Sequence, residues 1–206
     1  MARLDRLGAA KEVAQIGAAI GREFSHALLA AVVRKPEAEL RSALDRLIAA
    51  GLLFRQGVPP HATYLFKHAL VQDAAYGTLL RQPRRALHAR IAETLESQFA
   101  DIAERQPELL ARHFTEAGLV DRAIDYWLKA GNLALSRSAN AEAVKHLGQG
   151  IELTQSKAPS AERVRKELDF YLALGPATAA TEGYAAPETL RRVSRTPVTC
   201  WAMGAP

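Results

Sequence analysis

The chain is nearly without cysteine, and it has no long apolar run. Cys200 is the one cysteine in 206 residues, so no intramolecular disulfide can form, and no metal-ligand spacing of cysteine and histidine surrounds it. No apolar run approaches the roughly 18 residues of a membrane span, and the charged N-terminus has no signal-peptide core behind it. The sequence therefore predicts a cytoplasmic protein that is neither exported nor inserted into a membrane.

The motifs that carry nucleotide chemistry are also missing. A P-loop, G-x-x-x-x-G-K followed by Ser or Thr, would offer backbone N–H groups, a lysine and a hydroxyl to the phosphates and Mg²⁺. The nearest approach, residues 17–22 (GAAIGR), lacks the lysine, the hydroxyl and a preceding strand. Gly17 and Gly21 are more typical of close helix packing. The sequence predicts no cofactor.

Metal and acid–base sites are not indicated either. The six histidines are scattered, and no two lie three to five residues apart, as a helical metal pair requires. Lys67, His68 and Asp73 lie close in sequence, but without a positioned nucleophile they do not make a catalytic set. We therefore predict no catalytic residue, no metal site and no enzymatic activity in this chain.

Composition predicts a folded chain with an uneven charge. Hydrophobic residues make up 49% and charged residues 24%, near globular averages, and the length fits one ordinary or two small domains. Residues 1–90 hold 14 Lys/Arg against 7 Asp/Glu (+7), whereas residues 91–206 hold 13 against 15 (−2). The basic first half permits a nucleic-acid or acidic-protein partner and identifies neither.

Residues 1–82 have the pattern of a winged helix-turn-helix domain. Helical spacing predicts a first helix from Leu4 to Ile20, a second helix capped by Ser25, and a third that Pro36 opens and Gly51 ends. Two short strands, 52–54 and 63–66, flank turn residues and form a hairpin. A further helix follows, until Pro83 interrupts it.

Residues 83–175 are predicted to form TPR-like helical hairpins, an α-solenoid, beginning with a helix from Arg84 to about Ala103. Segments 117–123 and 138–143 resemble the turn inside a tetratricopeptide repeat, but Ala123 and Ala143 lie 20 residues apart, whereas that repeat spans about 34. Gly175-Pro176 is predicted to close the last helix. Residues 176–206 are then an irregular or disordered tail, with truncation or an altered reading frame after about Thr189.

One segment resembles a known module. Residues 52–60 (LLFRQGVPP) and 64–76 (YLFKHALVQDAAY) are similar to the end of the winged-helix domain in bacterial STAND-type predicted ATPases, which are often fused to class III adenylate/guanylate cyclase domains. The resemblance covers roughly residues 4–188 and is most specific over 66–80. It implies a non-catalytic regulatory fragment, with ATPase or cyclase domains of a parent protein upstream of Met1.

The resemblance also implies that the winged helix packs on the ATPase core and relays its nucleotide state. His68 is then a candidate contact to that core, since it lies where the second hairpin strand enters the next helix. The alternative for His68 is a helix-cap or core histidine bonded to the backbone. The solenoid would bind an unknown partner protein, and Tyr126 and Trp127 are its candidate packing or contact residues.

DNA binding is the alternative function. The third helix offers Arg41, Ser42 and Arg46 toward base edges, and Arg34, Lys35 and Arg55 could reach phosphates. Three acidic residues on the same helix, Glu37, Glu39 and Asp45, would repel the phosphate backbone. The sequence therefore favours contact with a partner domain, and leaves open a free-standing winged-helix transcriptional regulator with a TPR-like effector domain.

Overall fold

The computed structural model describes residues 8–182. The predicted helix start at Leu4 and most of the predicted tail lie outside the described residues. The described chain is mainly α-helical with a small three-stranded sheet, which confirms the mainly α class. It divides into two compact units, the first comprising residues 8–100 and 116–118 and the second residues 101–115 and 119–182.

The first unit contains most of the N-terminal half. Its elements are α1 (Ala9–Ile20), β1 (Glu23–Ser25), α2 (His26–Val33), α3 (Glu37–Ala49), β2 (Leu53–Gln56), β3 (Thr63–Phe66), α4 (Ala69–Gly77) and α5 (Arg81–Gln98). The second unit begins with α6 (Ala100–Arg105), whose first residue belongs to the first unit, and continues with α7 (Pro107–Ala117), α8 (Val120–Ser136), α9 (Asn140–Gln155) and α10 (Ala161–Glu182).

Local signals in the first unit act as the sequence predicted. The Ser25 hydroxyl accepts a hydrogen bond of 3.2 Å from the Leu28 N–H, which caps α2. Gly51 follows α3 with a φ of 70°, and the Leu52 N–H bonds to the Leu47 carbonyl at 3.0 Å, which closes that helix. A Cβ at Gly17 would lie 2.7 Å from the Phe24 ring, so Gly17 permits close packing, although its neighbour is a residue of β1 and not of a second helix.

The sheet has the order β1-β3-β2, and both pairings are antiparallel. The hairpin of β2 and β3 was predicted, but β1 was not. With three residues and one hydrophobic side chain it is too short to show a period-two pattern. Phe24 of β1 nevertheless stacks 5.8 Å from Tyr64, and both are buried in the core.

Two predictions around residue 83 were wrong. The helix predicted to continue until Pro83 ends at Gly77, and Pro83 instead lies in the first turn of α5, where a missing N–H is tolerated. The single helix predicted from Arg84 to Ala103 is instead divided at Phe99, whose ψ is 52°. Because α5 packs against α1 and α2, the compact first unit extends to Ala100, whereas the sequence placed the domain boundary at 82/83.

The 20-residue spacing in the second unit corresponds to one helix and its connection. Gly118 (φ 75°) and Ser138 (φ 57°) occupy the same left-handed position after α7 and α8. The next residue in each case donates to the carbonyl five residues back, Leu119 to Phe114 at 3.0 Å and Ala139 to Ala134 at 2.9 Å. These are matching helix ends, so the repeated sequence marks successive helices.

The predicted end of the last helix was also wrong. α10 runs through Pro176 to Glu182, so residues 176–182 of the predicted tail are helical. Proline removes one backbone hydrogen bond from a helix interior, yet the helix continues past it, and the next three residues, Ala177, Thr178 and Ala179, are buried. Ala177 packs with Ala134 and Ala143, which ties α10 to α8 and α9.

Candidate functional site

The outer face of α3 carries the residues predicted to contact DNA or a partner. Leu40, Ala43, Leu44 and Leu47 bury the opposite face. Arg41, Ser42 and Arg46 are exposed, and Ala38, Asp45 and Ala49 share a shallow depression with them. The helical period thus brings the three predicted residues to one surface, which we call the α3 surface.

Opposite charges lie side by side on the α3 surface. The Arg41 guanidinium is 3.3 Å from Glu37 Oε1, one helical turn earlier. Arg55 of β2 lies 3.7 Å from Asp45 Oδ1. These exposed pairs contribute little to stability, but they reduce the positive potential that a phosphate backbone would meet.

A buried histidine that the sequence analysis did not single out anchors the start of α3. His26 Nε2 lies 3.1 and 3.2 Å from the two Glu37 carboxylate oxygens, and its Nδ1 lies 3.3 Å from the Tyr64 hydroxyl. Burial opposes the charge of Glu37, but hydrogen bonds from His26 and Arg41 outweigh it and hold the pKa of Glu37 below its ordinary value. The network joins α2, α3 and β3.

The structure leaves His68 exposed at the start of α4. It occupies the N-cap position, but its side chain makes no capping bond, and it is not a core residue. Leu70 follows with 80% of its surface exposed, and Phe54 of β2 is 57% exposed. The Lys67 ammonium lies 4.3 Å from the centroid of the Phe54 ring. We call Phe54, Lys67, His68 and Leu70 the junction surface.

Tyr126 and Trp127 of α8 are buried, as the packing interpretation requires, each with 8% exposed surface. The Tyr126 ring lies 5.4 Å from the Phe114 ring of α7. The Trp127 indole N–H donates to the Thr115 hydroxyl at 3.1 Å, and its ring stacks 5.5 Å from His146 of α9. Neither side chain is available to a partner without rearrangement of these helices.

The pKa of His146 is shifted by its surroundings. Burial lowers its pKa below the ordinary value of 6.5, although Glu108 and Glu142 favour the protonated form. Its Nδ1 is buried and makes no hydrogen bond within residues 8–182. The ring is therefore held neutral as a packing partner of Trp127.

The part of the chain that the structure describes contains no helix long and apolar enough to cross a bilayer. Within the same residues, no group of three or more histidine, cysteine, aspartate or glutamate side chains is arranged to hold a metal ion.

The chain is similar to an uncharacterized protein of Rhizobium meliloti (strain 1021). The two are 33% identical over 192 residues, which is 93% of this chain and 19% of the relative. The chain thus spans about a fifth of the length of the protein it matches. No family model and no solved structure matches the chain.

Proposed function

We propose that the chain is a non-catalytic regulatory segment of a STAND-type ATPase or adenylate/guanylate cyclase signalling protein. Its first unit would be a winged helix that couples to an ATPase core. Its second unit would be a TPR-like array that binds a partner protein. The order of three helices with β1 between the first two, followed by a hairpin and a further helix, supports the first assignment. The short helix-to-helix connections support the second.

The junction surface is the observation that carries the coupling role. Phe54 and Leu70 expose large apolar areas where most apolar side chains of this unit are buried. The Lys67 ammonium lies against the Phe54 ring, and the exposed His68 is two residues before Leu70, so both add polar groups beside the apolar ones. Exposed apolar groups with a polar surround are typical of protein contacts. The mixed charge of the α3 surface also suits a protein partner better than DNA.

The mechanism would be conformational. A partner on the helical array would shift the balance between two states of the parent protein only if it contacts them differently. The chain would supply contacts, and catalysis would reside in another part of the parent. The relative of which this chain covers 19% is long enough for such further domains.

The test begins with the reading frame on both sides of the chain. We expect it to encode a P-loop ATPase, with or without a cyclase domain, upstream of residue 1. In that parent, Leu70→Asp on the junction surface should change the rate of ATP hydrolysis about fivefold or more, because a coupling of about 1 kcal/mol is lost. Val58→Asp is the matched control, since Val58 is 77% exposed in the hairpin turn outside that surface.

Three results would contradict the proposal. One is a stop codon and promoter directly before residue 1. Another is a parent whose ATP hydrolysis responds equally to both variants. The third is hydrolysis of ATP by the purified chain itself, since the chain has no P-loop.

A further inference from the structure

Much of the net positive charge of residues 1–90 comes from arginines of α5. Residues 74–90 contain four arginines and no acidic residue, so they supply +4 of the +7 balance of residues 1–90. Three of these, Arg81, Arg84 and Arg85, lie at the start of α5. At the α-helical period they fall within an arc of about 100° and about 6 Å of helix axis.

These arginines differ from six other basic residues of the described chain, each of which forms an ion pair with a carboxylate. Lys35, Arg41, Arg55, Lys157, Arg163 and Lys166 each have an acidic partner. Among residues 8–182, no carboxylate forms an ion pair with Arg81, Arg84 or Arg85. Three like charges at the positive end of the helix dipole repel one another and the dipole. A bound anion would relieve both.

Arg84 is held in position by its surroundings. Its Nη2 donates to the Leu79 carbonyl at 3.0 Å, and its guanidinium lies 4.5 Å from the centroid of the Tyr76 ring. Its Nε is buried and makes no hydrogen bond within the described chain. Arg85 lies against Gly118, where any side chain would meet its guanidinium. Arg81 and Arg85 are exposed to solvent.

We propose that Arg81, Arg84 and Arg85 form a binding site for the phosphate or diphosphate group of a small phosphorylated ligand. A guanidinium is a planar fork that binds two phosphate oxygens at once. The exposed forks of Arg81 and Arg85, one helical turn apart, together with the charge of Arg84 beside them, match a single compact dianion. A nucleic-acid backbone would need basic side chains over a longer surface. The site is independent of the coupling role proposed above.

The test is calorimetric titration of the full chain with pyrophosphate and with inorganic phosphate at low ionic strength. We expect saturable binding of pyrophosphate, weakened about tenfold or more in the double variant Arg81→Gln/Arg85→Gln, because charged hydrogen bonds are lost. Arg165→Gln on α10 removes the same charge type from an exposed position of the second unit and should leave binding unchanged.

A charge-preserving variant guards against loss of folding. Arg81→Lys/Arg85→Lys keeps the net charge, and it should still bind pyrophosphate more weakly than the wild type, because an ammonium cannot form the two-pronged contact. A titration with ADP identifies the source. If ADP binds more tightly than pyrophosphate, the ligand is a nucleotide. If the two bind equally, the site contacts only the phosphates. Both results support the site.

The proposal is overturned by any of three results. The first is the absence of saturable heat with either pyrophosphate or phosphate at concentrations up to about 10 mM. The second is unchanged affinity in Arg81→Gln/Arg85→Gln. The third is binding of a duplex oligonucleotide that pyrophosphate does not compete away, since this would assign the arginines to a nucleic acid.

Discussion

Two glycines of α9 allow the packing of the second unit to be tested with a matched pair of substitutions. A Cβ at Gly150 would overlap Cε1 and Cζ of Phe170, a fully buried ring of α10. A Cβ at Gly148 would meet no atom within 4 Å. Both positions lie inside the same helix, so alanine gives both the same gain in helix propensity.

The expected magnitudes follow from these two environments. Gly148→Ala should stabilise the unit by about 0.5–1 kcal/mol, because alanine loses less backbone entropy in a helix. Gly150→Ala gains the same amount but forces the Phe170 ring aside in a packed core, which costs about 1–3 kcal/mol. The difference between the variants removes the propensity contribution and leaves the clash, about 1–3 kcal/mol.

Urea unfolding monitored by Trp127 fluorescence measures this difference in the second unit. A Trp201→Phe background removes the other tryptophan of the chain. The midpoint should rise for Gly148→Ala and be lower for Gly150→Ala, with an unchanged slope. Phe170→Leu should restore part of the stability of Gly150→Ala, although it destabilises the wild type by opening a cavity. Equal midpoints for the two alanine variants would refute the contact between Gly150 and Phe170.

Three further predictions concern backbone, pH and DNA. Ser138→Gly should stabilise the chain by about 0.5–1 kcal/mol, since Ser138 has positive φ. Gly118→Ala should destabilise it by about 1 kcal/mol or more, since Gly118 has positive φ and a side chain there would also meet the Arg85 guanidinium. Thermal unfolding compares the two variants, and equal signs would contradict the matching helix ends. Because the pKa of His146 is lowered in the folded state, its contribution to the free energy of unfolding should be fully present above about pH 6.5 and should be lost as the pH falls below it. In urea titrations at several pH values, His146→Gln should flatten this decrease, and an identical pH profile would refute the reasoning. Fluorescence anisotropy should detect no DNA binding that weakens with salt and disappears in Arg41→Glu/Arg46→Glu. If such binding is found, it would support the DNA-binding alternative.

The sequence predicted those elements whose signals are local. Ser25 caps its helix from three residues away, and Gly51 ends α3 through its own backbone conformation. The exposed positions Arg41, Ser42 and Arg46 followed from the helical period alone. Such features need no knowledge of the rest of the chain.

Features that depend on distant partners were not predicted. β1 exists because Phe24 pairs with Tyr64, 40 residues later in the chain. The contacts of His26 with Glu37 and Tyr64 span 11 and 38 residues, and no local spacing in the chain indicates them. The local cost of Pro176 predicts a helix end, but the residues that follow it are buried in the unit, which local sequence signals do not show.

The 20 residues from Ala123 to Ala143 correspond to one helix and its connection, and this limits how the helical array can gain or lose helices. Each 20-residue step contains one helix and one reversal of chain direction, as the matching turns at Gly118 and Ser138 show. Adding or removing one helix with its connection would therefore make the chain leave the array at the opposite end. Only changes by pairs of steps would keep the direction in which the chain leaves, so the parity of the helix count determines where any downstream segment is placed.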